Sequence, residues 1–566
     1  MSHPHINRVI RTLIIFIVIL NTNFYAQELN TMEKEMKAYL NDLDQKIGPL
    51  FTETNTAYFE ATISGKPEDY KKWENLSIAM SKIYSDKEIF ARLTTYRESN
   101  QIRDGLLRRQ LEKYYLSFAG NQYEPELLEK IISMQTMIEN KYATYRTKVG
   151  EKELSDNEVE NLLKTSLDSR ELQNVWEASK QIGPAVAHDV LELVKLRNQA
   201  AKSLGYNNYH TMALSLGEQN PEEISALMDE LDGLTRGAFQ GLKGEIDQYL
   251  AERLKIAPAE LRPWHYQNRY FQEAPKIYDL DLDAYYAKQN LETLTKDYYA
   301  SIGLPIDELV AKSDLYEKPG KYQHAYCTHI DREGDVRVVC NIRPNYNWMG
   351  TMLHEYGHAV YDRYLSFSIP WILREPAHTF TTEAIAMLFG RLASNPYWIQ
   401  AMTGISDDEV KKIEATAGKT LRMEQLIFSR WVQVVYRFEK AMYENPDQDL
   451  NTLWWDLVEK YQMVKKPEGR TAPDWVTKIH IALYPAYYHN YLMGELLASQ
   501  LHYHIEAAVV KSSDKTNLTY KGNNAVGAYL TEMVFKPAAL FPWNTMIERA
   551  TGEKLTARYY AKQFVD

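Results

Sequence analysis

The stretch "GTMLHEYGHAVYD", Gly350 to Asp362, sets two histidines four residues apart, with a glutamate directly after the first. Apolar Trp348, Met352, Tyr356 and Ala359 or Val360 recur at helical spacing, which predicts a helix from Trp348 to about Tyr364. On such a helix His354 and His358 project from one face and can both reach one metal ion. Glu355 lies one position round, placed to touch a water on that metal instead of ligating it. Three fixed positions also arise by chance, and two partly buried structural histidines would look the same. The rest of the chain has to decide.

A catalytic zinc takes three protein ligands and keeps one position open. Downstream lies "LREPAHTFTTEAIAMLFGRLASNP". Thr381 or Thr382 is the expected helix start there, and the helix should end before Pro396. Glu383 then sits in the first turn of a second helix, and a helix–loop–helix hairpin can return it to the metal. Glu375 competes as third ligand, although it precedes Pro376 in a predicted loop. Asp362, one turn beyond His358, reads as a support behind the ligands or as a salt-bridge partner.

Peptide hydrolysis develops an oxyanion, and donors aimed at it supply much of the catalysis. "KIHIALYPAYYHNYLMGEL", Lys478 to Leu496, offers His480 followed by a dense tyrosine cluster in which Tyr488 and Tyr491 share a helix face. In a chain with 41 tyrosines an aromatic core stripe is the plainer local reading. The company of several polar-tipped donors and a lysine favours a site.

The bulk properties fit a large soluble enzyme. The 566 residues are 45% hydrophobic and 25% charged, enough for a large domain or two merged subdomains. Lys plus Arg total 65 against 76 Asp plus Glu, a net charge of -11, and no basic stripe marks a nucleic-acid partner. Arg8 and Arg11 precede the apolar run Leu13 to Leu20, and a polar stretch leads to "NFYAQ". This pattern predicts a signal peptide over residues 1–26, cleaved after Ala26, with the mature chain over 27–566. The run is short for a membrane span, so no stable insertion is expected after cleavage, and the enzyme should be periplasmic or extracellular. Asn75 ("NLS") and Asn517 ("NLT") are glycan acceptors if the host supplies the machinery.

The two cysteines, Cys327 and Cys340, flank "THIDREGDVRVV". A hairpin turning at Glu333-Gly334 sets them opposite each other, and export favours oxidation, so a disulfide is expected. Elsewhere helical periodicity dominates, as in "HDVLELVKLRNQAAKSLG" and "ALMDELDGLTRGAFQGLKGEIDQYLAERLK". The expectation is a mainly α fold, one large helical domain with a minor antiparallel hairpin from Ala325 to Ile342.

These segments together resemble the angiotensin-converting-enzyme family of zinc metallopeptidases. "LHEYGHAVYD", the "LREPAHTFTTEAIA" segment with its Arg-Glu pair, the cysteine hairpin, and "WWDLVEKYQMVKKPEGRTAPDW" followed by "KIHI" carry the likeness. Weaker similarity lies in "WEASKQIGPAVAHDVLELVKLRNQAAKSLGYNNY". The resemblance implies two subdomains around a deep central cleft that admits oligopeptides. It implies one zinc held by His354, His358 and Glu383, with Glu355 as general base and then acid. It makes His480 and Tyr491 the oxyanion donors, and Lys478 with Tyr488, or Tyr487 in its place, the binders of the substrate's C-terminal carboxylate. His329 becomes a substrate contact. Dipeptide release from a free C-terminus is the expected activity. Single-residue carboxypeptidase action comes second, an endopeptidase third, and an inactive peptide-binding relative is the non-enzyme alternative. Three departures stand out. Asn490 replaces an arginine that holds an activating chloride in animal members. The carboxylate-binding glutamine should fall near "PWHYQNRY", where the register offers Tyr266 with Gln267 adjacent. Met387 replaces an aspartate, so another residue must orient the first zinc histidine.

Overall fold

The computed structural model describes residues 28–565, so the predicted signal peptide lies outside the described residues. The fold is mainly α. The helices that position the site are α1 (Thr31–Ser64), α2 (Gly105–Ala119), α3 (Pro221–Leu254), α4 (Tyr346–Arg363), α5 (Thr379–Gly390), α6 (Asp407–Glu444) and α7 (His489–His504). Among the described residues the strands form two antiparallel hairpins. One pairs β1 (Thr147–Val149) with β2 (Lys152–Leu154), which the sequence reading did not anticipate. The other pairs β3 (Tyr326–His329) with β4 (Val336–Val339), inside the expected segment. Among the described residues no helix is long and apolar enough to cross a membrane.

Two large hydrophobic cores dominate the described residues, beside a small cluster of Phe59, Ile330 and Val339. Met36, Leu40 and Ile47 of α1 pack with Leu107, Leu111 and Phe118 of α2 and with Trp371, Ile372 and Leu373, which reach over from the body. A much larger core gathers the remaining helices around α4 to α7. The inserted Trp371–Leu373 turn ends at Arg374-Glu375, so the segment joining the two cores also leads into α5.

Local signals explain the elements around the site. Asn345 caps α4, its side chain accepting the Trp348 N–H at 2.9 Å. The cap of α5 is His378, whose Nδ1 accepts the Phe380 N–H at 3.2 Å, so this helix starts earlier than the threonines suggested and Glu383 lies in its second turn. A histidine is an uncommon cap, which is why composition pointed to the threonines.

The expected disulfide is not present. Cys327 faces Val338 across the hairpin, and both cysteines are free. The Ile330 N–H donates to the Asp335 carbonyl at 2.8 Å, closing a turn over Asp331–Gly334 in which Arg332 and Gly334 take positive φ values of 58° and 102°. That turn is centred on Arg332-Glu333, one residue earlier than assumed, and the register moves with it. Cys340 becomes a diagonal neighbour of Cys327, a relation of about 7–8 Å, beyond disulfide reach.

Helix contact distances are set by two glycines. A Cβ on Gly357 of α4 would lie 2.7 Å from the Ala386 Cα of α5. A Cβ on Gly494 of α7 would lie 3.1 Å from both the Glu383 Cβ and the Met387 Sδ. Gly357→Ala should therefore cost about 1–3 kcal/mol through overpacking and weaken metal binding with it. Gly233→Ala in α3, where a Cβ meets nothing within 4 Å, should instead be neutral or stabilising. Thermal melts with and without metal read both. Unfolded without reductant, the protein should expose two thiols per chain to a thiol reagent.

Candidate metal centre and active-site cleft

α4 delivers His354 and His358, and α5 delivers Glu383. The two Nε2 atoms are 3.3 Å apart, and a Glu383 carboxylate oxygen lies 3.6 and 3.8 Å from them. These three groups could hold a metal ion. Ligands about 2.0–2.2 Å from a tetrahedral zinc stand roughly 3.3–3.5 Å from one another, so the donor set fits with little adjustment. His358 Nδ1 lies 2.8 Å from Thr382 Oγ1, which with Nδ1 as donor leaves Nε2 free to ligate. His354 keeps 31% of its side-chain surface, so the trio opens to the cavity.

Burial decides the protonation states. It pushes His354 down to about 4 and His358 well below its usual value, holding both imidazoles in the neutral form a metal needs. It pushes Glu355 up to about 8, with Glu383 adding to the rise, and Glu383 itself up to about 7, with Glu495 adding. Two buried carboxyl groups and two neutral imidazoles form a group that a divalent cation would restore to balance.

Glu375, the rival third ligand, is occupied elsewhere. Lys113 Nζ and Arg332 Nη2 each lie 2.7 Å from its carboxylate, and these cations hold it down to about 2 against the cost of burial. Asp362 makes no hydrogen bond or ion pair among the described residues. Burial raises it to about 7, with Arg332 as the opposing charge. The support behind His358 is Thr382 instead.

The metal group opens into a cavity of about 760 Å³ lined on one wall by Glu355, Thr382 and Tyr491, and on the other by Phe51 of α1 and Lys113 of α2. His329 also lines it, but its Nε2 accepts the Gly334 N–H at 3.1 Å, so that nitrogen serves the hairpin turn. Cys327 lines it too, its thiol raised well above the usual range by burial.

A chain of rings leads away from the metal group. Burial raises Tyr491, and the Glu383 charge adds to the rise. Tyr491 meets Tyr488 at 5.5 Å between ring centroids, and Tyr488 meets His480 at 5.1 Å. Lys478 Nζ sits 5.6 Å from the Tyr488 ring centre. Tyr487 contacts Tyr491 at 5.3 Å, so Tyr488 is the tyrosine set between His480, Lys478 and Tyr491. His480 is neutral, pushed down to about 4 by burial and then by Lys478, and its buried Nδ1 has no hydrogen-bond partner among the described residues.

Three residues escaped the sequence reading. Lys478 Nζ donates to Gln272 Oε1 at 2.8 Å, whereas Gln267 accepts the Lys276 N–H. Positive φ values at Gln267 (60°) and Phe271 (50°) fold the loop back and bring the later glutamine to the lysine, a bend that linear register cannot show. Thr382 is the second. The third is Glu495 of α7, whose charge acts on His354 and Glu383. It pairs with Arg391 and accepts from Gln425 Nε2 at 3.1 Å. Its neighbour Gly494 packs on Met387, where the resemblance leads one to look for an aspartate.

Two imidazoles and a carboxylate within reach of one ion, beside a second buried carboxyl group in an open cleft, are the equipment of a metal-dependent hydrolase of the His-Glu-x-x-His class. The family model described as angiotensin-converting enzyme matches residues 30–244 and 268–563. The chain belongs to the angiotensin-converting-enzyme family and is a metallopeptidase. It is 23% identical to angiotensin-converting enzyme of Theromyzon tessulatum over 73% of this chain and 71% of that protein. It is 21% identical to angiotensin-converting enzyme of Mesocricetus auratus over 70% of this chain, spanning 32% of that protein. It is 22% identical to thermostable carboxypeptidase 1 of Pyrococcus furiosus over 40% of this chain and 49% of that protein.

Glu495→Gln removes the carboxylate charge that acts on His354 and should weaken zinc binding by about 10–100-fold. Competition against a chelator of known affinity reads the change, with circular dichroism reporting the fold. Unaltered affinity would mean that His354 is held without it.

Proposed function

We propose that the protein is an exported zinc peptidyl-dipeptidase that removes dipeptides from the free C-termini of oligopeptides. The observation that carries this reading is the Lys478–Gln272 pair at the far end of the ring chain from Glu383. An ammonium, an amide and the Tyr488 phenol are the donors that a terminal carboxylate needs. The steps from Tyr491 to Tyr488 and from Tyr488 to Lys478 measure 5.5 and 5.6 Å. Each step is longer than the roughly 3.3–3.6 Å that one extended residue spans.

His354, His358 and Glu383 would hold the zinc. The chemistry supplied by a bound zinc is that of a Lewis acid, which polarises the scissile carbonyl and acidifies water. Glu355, 7% exposed and facing the cavity, takes the proton of the attacking water and passes it to the leaving amine. Tyr491 and His480 donate to the oxyanion as it forms, His480 through a ring that burial keeps neutral. Lys478, lowered to about 8 by burial and then by Arg269, gains charge as it meets a carboxylate.

Asn490 lends no support to a chloride site. Its Oδ1 accepts the Gln219 amide at 2.7 Å, and Gln219 Oε1 lies 2.7 Å from His489 Nε2, a neutral buried network with no cation to offer an anion. The complete ligand set with Glu355 in place argues against an inactive binding protein. Export rests on the basic, apolar and polar succession before Ala26. The similarity to a carboxypeptidase keeps single-residue release as the second reading.

Mass spectrometry on matched peptides with free and amidated C-termini tests the proposal. Loss of two residues per step from the free peptides alone is expected. One residue per step selects the second reading, and cleavage of amidated peptides selects an endopeptidase. Glu355→Gln should keep zinc and lose about 10²–10⁴-fold in turnover. Lys478→Met should lower kcat/KM about 10–100-fold, the worth of a charged hydrogen bond.

A further inference from the structure

A second cavity, of about 690 Å³, lies along α1. One wall is a stripe of α1 that recurs at helical spacing, with Lys37, Asn41, Asp44, Gln45, Gly48 and Thr52. At 1.5 Å per residue this stripe is about 22 Å long, the length of roughly six extended residues. The opposite wall is the start of α2 and the Trp371–Arg374 turn.

The lining carboxylates are already committed. Asp44 accepts the Tyr114 hydroxyl, and Asp104 caps α2 by accepting the Leu107 N–H at 2.8 Å. Asp331 accepts the Glu333 and Asp335 N–H groups, and Glu333 pairs with Arg374 at 2.9 Å. The uncommitted groups are amides. Gln110 is 3% exposed and lines the cavity, yet its side chain has no hydrogen-bond partner among the described residues. Asn41 and Gln45 on the facing helix are exposed to solvent and make no side-chain hydrogen bond among the described residues. Gln110 is a buried residue whose amide reaches the cavity, where a ligand can complete its hydrogen bonds. Side-chain amides both donate and accept, the complement of a peptide backbone, and Pro49, Pro370 and Trp371 add apolar contact between them.

The groove adjoins the catalytic cleft. Arg374 lines both cavities. Phe51 faces the metal side while Gly48 and Thr52 face the groove, so a single helix thickness separates them. A substrate whose C-terminus lies at Lys478 and whose scissile bond lies at the metal group must send its amino-terminal part into the cavity walled by Arg332 and Glu375, toward Arg374. We propose that the groove along α1 is an exosite that binds the amino-terminal part of longer peptide substrates through the amides of Asn41, Gln45 and Gln110. This rests on the reading that substrates are held by a free C-terminus.

The test uses four- and ten-residue peptides that share their last four residues. Cleavage is followed with the wild-type enzyme and binding by calorimetry with zinc-loaded Glu355→Gln protein. Two net hydrogen bonds predict a long-to-short ratio of about tenfold in Kd and in kcat/KM. Asn41→Ala and Gln45→Ala alter exposed helix positions and should fold normally, and Gln110→Met keeps the side-chain size. Combined, they should bring the ratio below about threefold. A ratio near one in the parent protein, or an undiminished ratio in the variants, overturns the exosite. If the peptides are not cleaved but the binding ratio behaves as expected, the dipeptidase reading fails and the exosite stands.

Discussion

Everything at the metal centre depends on how closely α5 can lie between α4 and α7. Gly357 lets the α5 backbone come within what would be 2.7 Å of a Cβ, and on the other side a Cβ on Gly494 would crowd the Glu383 and Met387 side chains at 3.1 Å. A methyl group at either crossing pushes a ligand-bearing helix outward. Imidazole pairs 3.3 Å apart with a carboxylate at 3.6 and 3.8 Å leave little tolerance for such a shift. The glycine inside the His-Glu-x-x-His helix is thus a packing requirement that precedes the chemistry. The large core around these helices supplies the force that holds them at that distance.

That close packing sets the electrostatics. Burial by itself would neutralise every titratable group in the centre, raising the glutamates and lowering the histidines. Where the fold wants a carboxylate ionised it supplies cations instead, as at Glu375 between Lys113 and Arg332. The contrast separates structural from metal-binding carboxylates without reference to sequence position. A glutamate already neutralised by two side chains has no unmet charge for a metal, and Glu383 does.

This contrast also explains what the sequence could and could not reveal. Helical periodicity was legible over long runs because a stripe against a large core repeats for many turns, as in α3. The trio that could hold a metal was legible because two of its members share a helix and the third lies on the next. Glu375 and Glu383 could not be separated on spacing alone, since the difference lies in Lys113 and Arg332 from remote elements. The hairpin register failed for a local reason. Arg332 adopts a left-handed conformation that composition gives no reason to expect, and a one-residue displacement of the turn carries Cys340 away from Cys327. Gln272 was missed because positive φ at Gln267 and Phe271 folds the loop in a way that linear counting cannot follow.

The departures from the resemblance fall where one helix can take over a task from another. The position of Met387 on α5 carries no carboxylate, yet a glutamate stands on the facing α7 beside the glycine that packs on that methionine. The position of Asn490 carries no arginine, yet the start of α7 is still tied down, by Gln219 bridging Asn490 and His489. In both cases a polar side chain lies close to the departing position, on another helix or without a charge. Substitution of this kind requires that the helices already be fixed relative to one another, since a carboxylate moved across an interface is useful only if the interface does not slide. The close crossings at Gly357 and Gly494 are what make such an exchange possible.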